Sequence, residues 1–278
     1  MIKQKKLWDN ILTVIMALLC LLWIYPIVLI LLNSLKKEGT FTTSTVFQLP
    51  TSETFAGLSN YVYGVIKMGF LSSLGYSLVI TVSSVALILL CCSMTGWYLT
   101  RVNNKLSKFM NLLIVFSMVV PFQMVMFTLS KTADTLKLNT PWNICIIYLG
   151  FGAGLAVFMF TGFMKSVPIE IEEAAMIDGC NRAQAFVKVE LPMLVPSIIA
   201  CGVYIFMNAW NEYTFAVMFT NENNRTISVA LKNLVGQLGV EWDLMTAGGL
   251  IAVLPICIMF FFAQKRLVAG LTAGAVKG

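Results

Sequence analysis

The chain has 278 residues, of which 58% are hydrophobic and only 12% are charged, with a mean hydropathy of +0.83. Soluble domains carry about 25% charged residues, so this composition indicates an integral membrane protein, and the modest net charge of +6 argues against nucleic-acid binding. The sequence contains no histidine, which excludes histidine-ligated metal sites and nucleophile–histidine pairs. We expect neither a metal site nor catalytic residues.

Six apolar stretches are each long enough to cross a bilayer, which takes about 20 residues in a helix. Lipid offers the backbone no hydrogen-bond partners, so only helices and closed barrels can span it, and stretches of this length do not suit barrel strands. The sequence therefore predicts an all-α, polytopic fold with one transmembrane domain over residues 1–278. The predicted spans cover about residues 11–32, 76–99, 109–129, 142–164, 193–218 and 244–263.

Lysine and arginine are concentrated in alternate segments between the predicted spans. They are denser in the N-terminal segment, after the second and fourth spans, and in the C-terminal segment than in the other connections. Cytoplasmic loops carry the excess of positive charge in membrane proteins. We therefore expect both termini and residues 165–192 to be cytoplasmic, and residues 33–75 and 219–243 to form outer loops.

An acidic segment with helical character lies between the fourth and fifth predicted spans. Pro168 suits the first turn of a helix, the acidic residues after it suit the positive end of the helix dipole, and Gly179 can end the helix. Residues 182–189 can form a second short helix. We expect Glu173 and Asp178 to hold the two helices together by pairing with basic side chains or backbone donors.

A structured polar segment between two spans is suited to contact a soluble partner. Ala174 and Ala175 would let the helix approach a cleft closely, and Met176 or Phe186 would anchor it there. The alternative is an amphipathic segment that rests on lipid headgroups. Such helices are usually rich in Lys and Arg, whereas this one is acidic, so we favour the soluble partner.

The spacing of this segment resembles the EAA loop of ATP-binding-cassette (ABC) importer permeases, which reads E-A-A-x-x-x-G, a spacer, an apolar residue and L-P. The residues expected to couple to the ATPase are Glu173, Ala174, Ala175, Met176, Asp178, Gly179, Phe186, Leu191 and Pro192. Three further stretches resemble the carbohydrate-uptake subfamily, and specifically the six-span partner of the maltose-type permease pair. They are Asn33–Lys36, Asn208–Tyr213 and Gln264–Gly278.

The resemblance implies a type I importer permease (MetI-like) fold and uptake of a sugar or oligosaccharide across a bacterial or archaeal cytoplasmic membrane. The implied partners are a second permease, two ATPase subunits and an extracytoplasmic solute-binding protein. The chain has no GxxxxGK[ST] motif, so we expect ATP and Mg²⁺ to be bound by the ATPase subunits and no cofactor by this chain. In maltose-type relatives the C-terminal tail reaches between the ATPase subunits, and the corresponding residues here are Thr272, Gly274, Lys277 and Gly278.

Polar residues inside the predicted spans mark a candidate translocation path. Glu212 is the only acidic residue predicted within a span, where a charge costs roughly 2.5–3.5 kcal/mol, so its side chain should face protein or water. A polar cluster beside an aromatic ring suits a sugar, and an interhelical polar contact is the structural alternative. The candidate path residues are Asn208, Trp210, Asn211, Glu212 and, less strongly, Gln123.

Three other functions are weighed against sugar import. A secondary transporter or channel commonly places ionisable residues at mid-membrane, and this chain has almost none. A membrane enzyme would need reactive groups that the predicted spans lack. An ABC permease for glycerol-3-phosphate or another small polar solute is the closest alternative, but a phosphate would favour Arg or Lys near the path, and none lies in the predicted spans.

Overall fold

The computed structural model describes residues 2–43, 45–138, 140–235 and 240–275, and its regular elements are helices. A 3₁₀ turn covers Ser117–Val119, and a π-helical turn covers Phe186–Glu190. The all-α class predicted from the sequence is confirmed. The α-helices are α1 (Ile2–Ser34), α2 (Thr40–Thr43), α3 (Ser59–Lys67), α4 (Phe70–Arg101), α5 (Lys105–Phe116), α6 (Phe122–Thr135), α7 (Ile144–Met164), α8 (Ile169–Ile177), α9 (Arg182–Ala185), α10 (Leu191–Met193), α11 (Val195–Asn211), α12 (Thr214–Phe219), α13 (Ile227–Lys232) and α14 (Trp242–Ala275).

Four helices within the described residues are long and apolar enough to cross a membrane without a break. Two further pairs of helices pass the same test together but are sharply bent, so the number of crossings rises to six if each pair is one span. The unbroken helices are Trp8–Ser34, Phe70–Arg101, Ile144–Met164 and Trp242–Lys265.

The third predicted span, residues 109–129, is broken in the structure. Lys105–Val119 and Phe122–Thr135 meet at an angle of 107°. Pro121 explains the break, because a proline disfavours helical geometry at the residue before it, and Val120 is extended with φ −76° and ψ 113°. The predicted third span is therefore two helices joined at Pro121 rather than one continuous helix.

The fifth predicted span, residues 193–218, is also interrupted. The helix Arg182–Met193 bends by 78° into α11, which has a proline in its first turn at Pro196. The chain then leaves the helix at Glu212, whose backbone is extended with φ −68° and ψ 122°. Glu212, predicted inside a span, therefore lies in the break between α11 and α12.

The described residues form two compact units. One contains the residues before Ser72 together with Ala230–Leu254, and the other contains Ser72–Val229 together with the residues from Pro255 onwards. The first unit has a small core in which Met68 packs against Ala230 and Leu234. Its longest helix, α1, is exposed along most of its apolar length.

The turn after α1 in the first unit is held by buried polar groups. The Asn60 amide donates hydrogen bonds to the carbonyl oxygens of Ser34 and Lys36 at 2.9 and 2.7 Å. Lys36 is only 1% exposed, and its ammonium donates to the Thr45 carbonyl at 3.0 Å. Burial lowers the pKa of Lys36 below its usual range. These contacts account locally for the Asn33–Lys36 stretch noted in the sequence.

Helices α4 and α7 pack closely against each other in the second unit. Ile88 and Cys92 on α4 form one buried cluster with Val157 and Phe160 on α7. The helices approach so closely at Gly96 that a β-carbon there would lie 2.7 Å from Cβ of Phe160. A larger residue at this position would force the two helices apart.

We predict that Gly96→Ala destabilises the protein by about 1–3 kcal/mol, because the added methyl group overpacks the α4–α7 contact. The measurement is the thermal unfolding midpoint of the purified subunit in detergent. Gly162→Ala is the matched control, since a β-carbon there meets no atom within 4 Å. Equal midpoints for the two variants would show that the close approach at Gly96 is not a constraint.

Candidate functional site

The segment between α7 and α11, residues 165–192, folds as a helix, a glycine turn and a second helix, and we call it the coupling loop. Pro168 lies just before α8 in extended geometry rather than in the first helical turn, with ψ 137°. Gly179 adopts φ +91°, a left-handed conformation that favours glycine. The Cys180 amide closes the turn by donating to the Ala175 carbonyl at 3.0 Å.

The second helix of the coupling loop begins with a reciprocal cap. The Asn181 side chain accepts a hydrogen bond from the Gln184 amide at 2.9 Å, and the Gln184 side chain accepts one from the Asn181 amide at 3.0 Å. The helix continues past residue 189, the end suggested by the sequence, as far as Met193. Both helices of the loop therefore have defined starts, which suits a rigid projection.

The residues of the E-A-A-x-x-x-G pattern divide between an outer and an inner face of α8. Ala175 is buried, and Met176 is partly buried. The most exposed apolar side chain of α8 is Ile177, at 86%, and the sequence reasoning did not single it out. The exposed residues of the pattern are Glu173, Ala174, Asp178 and Gly179.

The ion pairs of the coupling loop differ from those predicted. Within the described residues, neither Glu173 nor Asp178 forms an ion pair, so the predicted pairing of these acids with basic side chains is not found. Instead Arg101, the last residue of α4, donates to Glu172 through Nε at 2.9 Å and to Glu190 through Nε at 3.0 Å and through Nη2. Its guanidinium also donates to the Val167 carbonyl at 3.3 and 3.4 Å.

We call these groups, Arg101, Glu172, Glu190 and the Val167 carbonyl, the Arg101 cluster. The side chains of Arg101, Glu172 and Glu190 are 13%, 6% and 0% exposed. Removing one partner of a buried ion pair leaves the other charge uncompensated, at a cost of about 3–5 kcal/mol. The cluster thus fixes the start, middle and end of the coupling loop to α4.

An aromatic contact lies beside the Arg101 cluster. The ring of Trp97 packs on Phe186 with centroids 5.1 Å apart and an interplanar angle of 36°. Phe186 is only 4% exposed, so it anchors the coupling loop to its own chain and has little surface left for a partner. Leu191 packs against the buried apolar residues around Phe186. Pro192 is exposed.

A cavity of about 280 Å³ lies among α4, α7, α11 and α12 in the second unit. Its polar wall comprises Tyr148, Tyr204, Asn208 and Glu212, and the rest of its lining is apolar or aromatic, including Phe151. The cavity brings together two of the residues predicted from the sequence, Asn208 and Glu212, and adds two tyrosines that the sequence did not indicate.

The carboxylate of Glu212 is engaged by the backbone of the helix that follows it. It accepts hydrogen bonds from the amides of Thr214, Phe215 and Ala216 at 2.9, 2.7 and 3.3 Å. The Tyr148 hydroxyl donates to the same carboxylate at 3.4 Å. Glu212 therefore caps α12, which accounts for a charged residue in this break.

Three candidate path residues are not part of the cavity lining. Trp210 is 4% exposed and stacks on Phe206 with ring centroids 5.7 Å apart. Asn211 is exposed, and its amide donates to the Met207 carbonyl at 2.9 Å. Gln123 is exposed near the start of α6. The predicted path residues thus do not form one cluster.

The C-terminal residues named from the sequence lie at the edge of the described chain. Thr272 and Gly274 belong to α14, which ends at Ala275. Lys277 and Gly278 fall outside the described residues. The predicted ATPase contact of this tail stays a prediction.

Sequence reasoning missed Arg101, Glu190 and Tyr148. Glu190 carried a signal that could have been used, because it is an acidic residue flanked directly by the apolar residues Val189 and Leu191. An acid in such surroundings needs a partner, and Arg101 stands at the end of a predicted span on the same predicted side of the membrane.

The comparisons with known proteins place the chain among transport proteins. The family described as "Binding-protein-dependent transport system inner membrane component" matches residues 88–273. A probable permease for starch degradation products from Thermoanaerobacterium thermosulfurigenes is 35% identical, with 96% of each chain covered. An arabinooligosaccharide permease from Halalkalibacterium halodurans is 29% identical over 99% of both chains, and a melibiose/raffinose/stachyose permease from Bacillus subtilis is 29% identical over 97% of both.

The fold is found in a solved ABC transporter. A chain of the bacterial transporter involved in the import of the acidic polysaccharide alginate superposes with a TM-score of 0.78 at 21% identity, over 94% of this chain and 97% of that one. At this identity the likeness concerns the fold alone. It confirms the ABC importer permease fold that the sequence resemblance implied.

We predict that Glu212→Ala destabilises the protein by about 1–3 kcal/mol, because three backbone amides at the start of α12 lose their acceptor. The thermal unfolding midpoint of the purified subunit measures the effect. Glu222→Ala removes an exposed acid from the next connection and serves as the control. A midpoint unchanged in Glu212→Ala would contradict the capping role.

Proposed function

The chain belongs to the family of inner-membrane components of binding-protein-dependent transport systems, and we propose that it is a permease subunit of an ATP-driven importer for a sugar or oligosaccharide. The subunit forms part of the translocation pathway and catalyses no reaction itself. The sugar is delivered by an extracytoplasmic solute-binding protein. The full-length relatives named for sugar uptake support this substrate class.

The coupling loop carries the proposal. It presents an exposed surface of small, acidic and apolar side chains on a rigid helix–turn–helix, with Ile177 at its tip. A soluble ATPase that closes on ATP needs such a projection to move a membrane subunit. We propose that Glu173, Ala174, Asp178 and Gly179 contact one ATPase subunit, and that Ala175, Met176, Phe186, Leu191 and Pro192 give the loop its shape.

The complete importer contains further subunits in this proposal. A second permease pairs with this chain, and two ATPase subunits bind ATP and Mg²⁺ on the cytoplasmic side. Both termini are cytoplasmic, and the tail that includes Thr272, Gly274, Lys277 and Gly278 reaches the ATPase. In this proposal residues 1–278 form one permease domain. The complex resides in the cytoplasmic membrane of a bacterium or archaeon.

The cavity near Glu212 is the part of this subunit best suited to a sugar hydroxyl. The Tyr148 and Tyr204 hydroxyls and the Asn208 amide offer donors and acceptors, and Phe151 offers a ring for a sugar C–H face. The Glu212 carboxylate is already engaged by the α12 amides, so it orients the cavity wall instead of binding sugar. Trp210, Asn211 and Gln123 do not line this cavity.

The function is tested with the assembled complex in liposomes that contain ATP. Uptake is measured for radiolabelled maltotriose, arabinotriose and raffinose, which represent the sugars named for the three relatives, in the presence of the cognate binding protein. The proposal expects ATP-dependent uptake of one of these sugars. Uptake that follows an ion gradient and needs no ATPase subunit would instead show a secondary transporter.

We predict that Glu173→Lys lowers ATP-driven uptake at least about tenfold, because the reversed charge opposes docking of the ATPase. Glu53→Lys makes the same charge change on an exposed residue of the predicted outer loop and should retain uptake. Both complexes are compared at equal amounts of reconstituted permease. Wild-type uptake by Glu173→Lys would contradict the proposed role of the coupling loop.

A further inference from the structure

The last turn of α4 is joined to the coupling loop at two levels. Trp97 packs on Phe186, and one helical turn further Arg101 binds Glu190. Trp97 and Arg101 are four residues apart on α4, and Phe186 and Glu190 are four residues apart in the coupling loop. The two residues of each helix therefore lie on one face of it. The two helices are therefore held in a fixed register by an aromatic contact and by a buried ion pair.

Arg101 also binds the first helix of the loop. Its Nε donates to Glu172 on α8, and its terminal nitrogens donate to the Val167 carbonyl just before α8. One guanidinium thus contacts the loop before the first helix, within it and near the end of the second. Lysine could not reproduce this set, because its ammonium is a single point of contact.

The Arg101 cluster is largely buried, but its hydrogen-bonding capacity is not fully used. Glu190 is 0% exposed, and its Oε2 atom has no hydrogen-bond partner among the described residues. The cluster contains two carboxylates and one guanidinium. A group with this arrangement resists separation of its members, because pulling Arg101 away would leave two buried carboxylates without a counter-charge.

The rest of α4 extends from this cluster to the cavity wall. Ile88 lines the cavity, and it lies 13 residues before Arg101, or about 20 Å along the helix. Between them α4 touches α7 at Gly96, and Leu89 lies 3.3 Å from the position of a β-carbon at Gly202 on α11. A displacement of the Arg101 end of α4 would therefore also shift α7 and α11, which line the cavity.

We propose that Arg101, Glu172 and Glu190 are positioning residues that make α4 move with the coupling loop and so transmit the motion of the ATPase to the cavity. This inference rests on the proposed function, because it requires an ATPase bound to the loop. None of the three residues lines the cavity. Their effect is on the amount of sugar imported for each ATP hydrolysed.

The test compares import per ATP hydrolysed in liposomes for Arg101→Met, Glu190→Gln and Arg101→Lys. The sugar is the member of the maltotriose, arabinotriose and raffinose panel that the wild-type complex imports. We expect the ratio to fall at least about fivefold in Arg101→Met and Glu190→Gln. Arg101→Lys should recover part of the ratio, because an ammonium can still pair with one carboxylate. Lys105→Gln removes an exposed cation from the next helix and is the matched control.

A purely structural role would give a different result. It would reduce the amount of assembled complex but leave import per ATP hydrolysed by the remaining complex at the wild-type value, and this outcome overturns the inference.

If Arg101→Met fails to assemble, the exchange Arg101→Glu with Glu190→Arg is measured. An import-per-ATP ratio restored above that of Glu190→Gln alone supports the inference. An exchange no better than Glu190→Gln overturns it. Absence of ATP-driven import by the wild-type complex would overturn the proposed function and this inference together.

Discussion

The guanidinium of Arg101 is the group on which the geometry of the coupling loop depends. It stands at the end of α4 and contacts two carboxylates and a backbone carbonyl that come from three parts of the loop. Without it, Glu172 and Glu190 would be buried acids close to each other, and burial of unpaired charge is unfavourable. The loop can therefore adopt its compact shape only when it packs against the end of α4.

This dependence gives the exposed and buried residues of the loop separate tasks. Glu172, Phe186 and Glu190 face inward and hold the loop to its own chain. Glu173 and Ile177 face outward, where an ATPase can reach them. The E-A-A pattern combines both faces, so resemblance alone does not separate the residues that bind a partner from those that shape the loop.

The sequence predicted the parts of the fold that follow from local rules. The long apolar runs yielded the helices, and Pro168 and Gly179 correctly marked the limits of α8 to within one or two residues. The two bent segments were harder, because hydropathy alone does not distinguish a straight span from two helices joined at Pro121. The cavity and the Arg101 cluster depend on contacts between residues far apart in the chain. Arg101 and Glu190 are 89 positions apart, and neither position alone reveals the pairing.

If the ATPase acts on this subunit at the outer face of the coupling loop, as proposed, a crosslinker placed on that face should capture it. The most direct measurement is photocrosslinking of the assembled complex with p-benzoylphenylalanine in place of Ile177, which is 86% exposed at the end of α8. The same probe in place of Val62 on α3, also exposed, serves as the reference. We expect a covalent adduct with the ATPase subunit from position 177 and none from position 62. An adduct from position 177 with lipid or with the second permease, and none with the ATPase, would contradict it.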